Sequence, residues 1–343
     1  MEIKKKHHFV SQFYLKNWVS DDKKLYVWDG GNNIFTTTTD GIGYRKHFYK
    51  LERLKPKQID YLHKFIYFCN FENLSTYKLI IKSILETEKV FHISEKLIEI
   101  LDIKKNDHIE EFEEMDDLKK TFSNNIIEDK FSYDETVFSQ TLSKIIKSDK
   151  GLNLTLKDYD TLIHFIAFQL GKTPQKFERI TNDDGSDDRA KIFDNYDFTD
   201  KEFHTYTLYT ILCLIEAIYL SCLSRLDKIN IYYNNDPSIN FITSDDPCFN
   251  QKINDKKLHI QVPISPKIMI ELIENNDNNK DELLKYYNYN KNYSEYISAN
   301  GQLINFFEIT QDEIITLNKK ILENKHQFVY MYCENDRNDL TSQ

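Results

Sequence analysis

The run Lys24-Leu25-Tyr26-Val27-Trp28-Asp29, the turn Gly30-Gly31-Asn32-Asn33 and the run Ile34-Phe35-Thr36-Thr37-Thr38 set the class of this fold. Aromatic and β-branched residues flank four turn formers, which is the pattern of a β-hairpin. Beyond it the period changes. From Lys57 to about Arg225 apolar residues recur at helical spacing, as in Ile59, Leu62, Phe65 and Ile66, or Leu162, Phe165, Ile166, Phe168 and Leu170. After Lys228 the texture returns to short strand-like runs at 230–233, 240–243, 258–262, 268–272 and 327–332, with helical patterns at 281–290 and 312–325. The reading is α+β: a mixed sheet formed by the N-terminal hairpin and the C-terminal strands, with a large helical middle section between them.

The chain has 343 residues, 40% of them hydrophobic, with 23 Phe and 22 Tyr, enough for a substantial core. Only 8 Gly and 6 Pro punctuate it, so few linker signals divide it. We expect a single globular body over residues 1–335, a helical section at 57–226 within it, and a disordered tail at 336–343. The formal charge of -10 argues against non-specific nucleic-acid binding by net charge. Much of it comes from acidic runs at 110–117 and 182–188. The second has the carboxylate density of a calcium loop without its spacing, and reads as a solvated loop.

Cys69, Cys213, Cys222, Cys248 and Cys333 contain no C-x-x-C pair, which fits buried free thiols in a reducing compartment. Lys4 to Lys6 lead into His7 and His8 instead of an apolar run, which argues against a signal peptide. The stretch 207–223 is the most membrane-like, but Glu216 interrupts it and it reads as a core helix. A cytoplasmic location and no membrane partner are expected. Oligomeric state is not legible.

Four segments offer chemistry. In Lys6-His7-His8-Phe9-Val10-Ser11-Gln12-Phe13-Tyr14-Leu15-Lys16-Asn17-Trp18 two histidines and Gln12 precede an amphipathic run; neighbours face opposite ways, so one histidine at most enters a given site. In Thr243-Ser244-Asp245-Asp246-Pro247 an apolar strand runs into small polar groups, where Asp245 can hold a histidine, a metal or a substrate hydroxyl, or Ser244 and Asp245 can satisfy their own backbone in an Asx-type turn. Phe165 to Pro174 presents Gln169 and Thr173 on one helix face, with Lys172 placed to meet an anion or simply the helix dipole. Lys267, at a strand edge, and Asn318, on a late helix, are weaker candidates for an anion or a backbone carbonyl.

These segments, with the later Pro263 to Lys267 and Val329-Tyr330-Met331-Tyr332, resemble the domain of unknown function 4238 family over nearly the whole chain. The opening H-H-x-x-x-Q-x-Y-L pattern and T-S-D-x-P carry most of the resemblance. The family typically has Arg before the Thr-Pro, where this chain has Lys172, and commonly Asn at the position of Asp246. The resemblance implies a bacterial intracellular protein, in some members associated with defence against phage, and no established reaction.

Two functions follow. In one, a defence effector cleaves RNA without metal: His7 or His8 moves a proton, Asp245 orients it, Lys172 stabilises charge on phosphorus, and Gln12, Gln169, Thr173, Ser244, Lys267 and Asn318 hold substrate. In the other, the same cleft senses a nucleotide, peptide or phage product without turnover. RNA or a nucleotide is the expected partner. No phosphate loop, nucleophile elbow or H-E-x-x-H helix is present in the sequence, which motivates the sensing reading; no cofactor is expected, and no metal, since Asp245 and Asp246 alone do not supply the converging carboxylates of a two-metal nuclease.

Overall fold

A computed structural model describes residues 2–68, 74–103, 109–148, 152–181, 195–250, 258–276 and 279–341. The acidic run 182–188 and Cys69 lie outside the described residues. In chain order the elements are β1 (Lys6–His8), α1 (Gln12–Leu15), β2 (Leu25–Trp28), β3 (Ile34–Thr37), β4 (Tyr44–Lys46), α2 (Pro56–Phe68), α3 (Leu74–Ile103), α4 (Ile109–Lys147), α5 (Leu156–Gly171), α6 (Pro174–Thr181) and α7 (Asp200–Arg225). Then come β5 (Lys228–Tyr233), β6 (Thr243–Ser244), β7 (Phe249–Asn250), β8 (His259–Ser265), β9 (Ile268–Ile273), α8 (Lys280–Asn290), β10 (Ile304–Glu308), α9 (Gln311–Asn324), β11 (Val329–Met331) and α10 (Asn338–Thr341). The class is α+β with a large helical middle.

The contacts between Cα atoms divide the chain into two compact units: Met1–His7, Arg45–Tyr133 and Lys176–Ala217 in one, and His8–Tyr44, Asp134–Gln175 and Ile218–Gln343 in the other. The first unit is helical. Its core gathers aromatic residues, among them Phe48, Tyr49, Phe91, Phe131, Phe177, Phe203 and Tyr209, all buried. Aromatic side chains bring the largest apolar area per residue, and each buried one stabilises by roughly 1.5–3 kcal/mol relative to exposure.

The second unit holds both larger sheets. The hairpin and two C-terminal strands form a four-stranded sheet in the order β3-β2-β11-β6, with Val329 opposite Trp28 on one side and Ser244 on the other. The remaining C-terminal strands form a separate five-stranded sheet, β10-β5-β9-β8-β7, in which only β10 and β5 run parallel. The strand period of two explains its buried face: Ile229, Ile231, Ile260, Val262, Ile270, Leu272 and Ile304 are all enclosed. So the C-terminal strands divide between two sheets. The partner of β5 is β10, a run that sequence periodicity passes over.

Three further differences from the sequence reading have local causes. The segment beginning at Lys6 opens as a strand and turns helical only at Gln12, as one α turn to Leu15 continued by a 3-10 turn over Lys16–Trp18; before it, Phe9 N–H and Val10 N–H both donate to Gly43 O and hold the chain extended. Gly43 has φ +71, and a Cβ there would lie 3.2 Å from Val10 Cβ, so the close approach needs glycine. The expected strand at 240–243 pairs only from Thr243, since Asn318 takes the backbone before it. Residues 336–341, read from sequence as a tail, are helical, and Leu340 packs with Trp28, Val329 and Met331.

Helix α7 is the one helix among the described residues long and apolar enough to cross a membrane, and 44% of its most apolar window is buried. A buried core helix meets the same test.

Candidate functional site

The site lies in the second unit, where α1, the end of α5 and the corner after β6 converge. Helix α5 is fixed at its start by a capping box: Thr155 Oγ1 accepts from Asp158 N–H, and Asp158 returns the bond to Thr155 N–H at 3.0 Å. Lys144 Nζ, 2.6 Å from Asp158 Oδ1, ties that cap to α4. With its register set, α5 aims Phe165, Gln169 and Lys172 along one face.

Each end of that face meets α1. Phe165 packs on Tyr14 with ring centroids 6.3 Å apart, and Lys172 donates to Ser11 Oγ across 3.3 Å. Tyr14 is itself locked. Its hydroxyl donates to Pro263 O at 2.5 Å and therefore accepts from Thr243 Oγ1 at 2.6 Å. Burial first, with Cys248 in support, holds the Tyr14 phenol well above its usual range despite the Thr243 bond, so it remains a neutral hydrogen-bonding strut.

Lys172, read from sequence as an anion clamp, is 1% exposed and paired with the carboxylate of Glu135, which is 20% exposed. Ser11 Oγ donates to the same Glu135 oxygen at 2.6 Å, and the Lys172 ammonium also lies 4.8 Å from the centre of the Phe168 ring. Desolvation of a cation demands such a partner set. The charge that would meet a phosphate is neutralised internally.

Asp245 has a different task from orienting an imidazole. Its carboxylate accepts the backbone N–H groups of His326, Gln327 and Phe328 at 2.9, 2.8 and 3.1 Å. Burial raises its pKa, and those three bonds pull against the rise. The strand end leading into β11 is thereby held to β6. Ser244 closes a local turn with Asp246, donating to Asp246 O at 2.8 Å and accepting from Asp246 N–H at 3.2 Å. Thr173 Oγ1 donates to Asp246 Oδ1 at 3.0 Å, which joins the end of α5 to this corner. Cys248, buried beside it, points its thiol at Ile166 O across 4.0 Å.

Gln169 therefore sits within a bracket: Phe165 against Tyr14 one turn before, Lys172 against Ser11 and Thr173 against Asp246 one turn after. It is fully buried, and neither Oε1 nor Nε2 meets a hydrogen-bonding group among the described residues. A buried carboxamide with both ends unmet costs several kcal/mol, roughly 1–3 per group.

At the edge of this cluster stands His8. Gln12 Nε2 lies 3.2 Å from His8 Nε2 and 3.5 Å from Asp40 Oδ1, so one amide group donates to the imidazole and reaches toward the carboxylate. His8 also packs on Tyr44, centroids 5.5 Å apart. Asp40 is exposed and Gln12 half-buried, which puts this edge at the surface.

The other sequence candidates stand outside the cluster. His7 belongs to the first unit, where Nδ1 accepts from Tyr49 N–H at 2.7 Å, Nε2 donates to Lys4 O at 3.0 Å, and the ring stacks on Tyr49. Both ring nitrogens are thus committed to backbone, as expected of a framework histidine and not of a proton shuttle. Lys267 Nζ donates to Asp236 O and Ile239 O at 2.6 and 2.7 Å, and burial lowers its pKa. Asn318 clamps the chain before β6, accepting from Ile242 N–H at 3.1 Å and donating to Asn240 O at 2.8 Å. Sequence reasoning missed Glu135 and Tyr14. Glu135 is one acid among many on α4, and only the buried Lys172 distinguishes it.

The chain matches the family described as Protein of unknown function (DUF4238) over residues 6–332, and it belongs to that family. No curated protein and no solved structure matches it.

Proposed function

We propose that this protein is a sensing module that binds a small ligand at Gln169 without turnover. The observation that carries the reading is the carboxamide of Gln169, buried with donor and acceptor both unmet among the described residues. A ligand edge that offers an acceptor beside a donor satisfies both at once, and a nucleobase presents that arrangement to a glutamine side chain. The turn packed on this end of α5 is short: α1 is four residues long, continued by a 3-10 turn over Lys16–Trp18, and its N-cap Ser11 makes no side-chain capping bond, its hydroxyl being turned to Glu135. In this reading the ligand reaches Gln169 from the His8, Gln12 and Asp40 edge, and its entry opens the bonds that Tyr14 and Ser11 make to Thr243, Pro263 and Lys172. The setting of bacterial defence against phage rests on the resemblance, and the cytoplasmic location on the scattered cysteines as well.

RNA cleavage keeps one support, the imidazole of His8 held through Gln12 toward Asp40 at the surface. It lacks two of its parts, because Lys172 is neutralised by Glu135 and Asp245 is spent on backbone. Sensing is the better-supported reading. Thermal-shift measurements with nucleobases, nucleosides and nucleotides, and with extracts of phage-infected cells, test it. A ligand that raises the Tm of the protein, leaves Gln169→Leu unmoved and is recovered intact is the expected result. Hydrolysis of that ligand, or release of RNA fragments that vanish in His8→Ala, replaces sensing by catalysis; no stabilisation by any of these removes the reading.

A further inference from the structure

The residues that frame Gln169 carry more negative than positive charge. Among those described Lys172 alone is a cation, and its buried ammonium is held by the Glu135 carboxylate, by Ser11 Oγ at 3.3 Å and over the Phe168 ring. Against that one ammonium stand the carboxylates of Glu135 and of the buried Asp245 and Asp246. Asp245 accepts three backbone N–H groups and Asp246 the Thr173 hydroxyl, neutral donors that hold each carboxylate without cancelling its charge. Asp40 adds a further carboxylate at the edge it forms with His8 and Gln12.

A phosphate entering this frame reaches a cation only by displacing Glu135 from Lys172, and the carboxylate so released loses its counter-charge. The other carboxylates repel it. A cationic ligand gains little, since Glu135, Asp245 and Asp246 already bond within the fold and the group that awaits a partner is an amide. That amide, on Gln169, is 0% exposed, with Nε2 and Oε1 both unmet among the described residues. An uncharged edge that sets an acceptor beside a donor matches it, as a nucleobase does. Phe165 and Tyr14, one turn earlier, supply aromatic surface for such a planar group.

On the reading of Gln169 as the recognition group, we propose that the ligand is an uncharged nucleobase, free or as its nucleoside, and that nucleotides and RNA are refused. Hydrolysis of nucleotide phosphate esters supplies the nucleoside, and cleavage of its glycosidic bond the free base, so the site reports the breakdown of nucleotides and not the nucleotides themselves. Calorimetric titration of the full chain with adenine, guanine, cytosine and uracil, their nucleosides and their 5′-monophosphates, at about 50 and 500 mM salt, tests this. A base or nucleoside is expected to bind the wild type equally at both salts and to lose Gln169→Leu, while its monophosphate binds at least about tenfold more weakly at low salt. A monophosphate that binds as tightly as its nucleoside, or more tightly, and loses Gln169→Leu overturns the uncharged ligand and leaves Gln169 as the recognition group. No binding by any of these compounds, or binding that Gln169→Leu retains in full, removes the recognition by Gln169 itself. The comparison of nucleoside with monophosphate is made on the wild type, so it stands whether or not the variant folds.

Discussion

Thr173 Oγ1 donates to Asp246 Oδ1 across 3.0 Å, both residues buried, and so connects the helix end and the strand end that frame Gln169. Replacing the hydroxyl by a methyl keeps the shape and removes the donor from a buried carboxylate. Thr173→Val is therefore expected to lower stability by about 1–3 kcal/mol. Thr173→Ser should recover most of that. Urea unfolding of the three proteins measures both.

Asp245 separates framework from chemistry. Three backbone N–H groups depend on its buried carboxylate, and Asp245→Ala leaves all three without that acceptor. We expect a loss of about 2–5 kcal/mol. Asp245→Asn keeps one acceptor oxygen and should cost less. If instead Asp245→Ala unfolds at the wild-type urea midpoint, these bonds do not hold β11 to β6.

What the sequence made legible was local. The hairpin was readable because Gly30 to Asn33 interrupts two β-type runs, and the helices because their apolar residues follow one period. Pairing across distance was not. Nothing in Ile304-Asn305-Phe306-Phe307-Glu308 announces that it lies parallel beside Ile229 to Tyr233, nor that the C-terminal strands divide between two sheets. The same limit applied to the site. Gln169, Thr173 and Ser244 were found as polar groups at element ends, whereas the partners that decide their roles, Glu135 for Lys172 and the 326–328 backbone for Asp245, lie tens of residues away. A polar residue at a strand end signals a fixed position; whether it is spent on the fold depends on what packs against it.

Glu88, on the inner face of α3, gives the first unit a pH signature. Burial pushes its carboxyl up to about 7, against the lowering effect of bonds from Tyr209 OH at 3.1 Å and Leu54 N–H at 3.2 Å. The folded form thus holds its proton at pH values where the unfolded chain has lost it. Its contribution to stability is full below the unfolded value near 4.5 and is lost as pH rises through about 7. Glu88→Gln, which cannot ionise, is expected to gain on the wild type by on the order of 2 kcal/mol at pH 8 and to match it near pH 5. Thermal unfolding at both pH values decides the matter, and equal differences at the two would show that Glu88 does not titrate in this range.

Gln169 is where stability and function are expected to part. Without ligand, its amide contributes two polar groups that no described residue satisfies, so an apolar residue of similar length removes a cost. Gln169→Leu is therefore expected to be more stable than the wild type by about 1–3 kcal/mol when no ligand is present. With ligand the order reverses, because binding adds stability only where the amide can pair with it. Gln169→Glu, similar in shape but lacking the donor, should be less stable than either when ionised in so enclosed a place. Urea unfolding of the three proteins, repeated with the best ligand from the thermal-shift series, gives every difference. A Gln169→Leu protein less stable than the wild type in both conditions would mean that the amide is satisfied within the fold, leaving no recognition for it to perform.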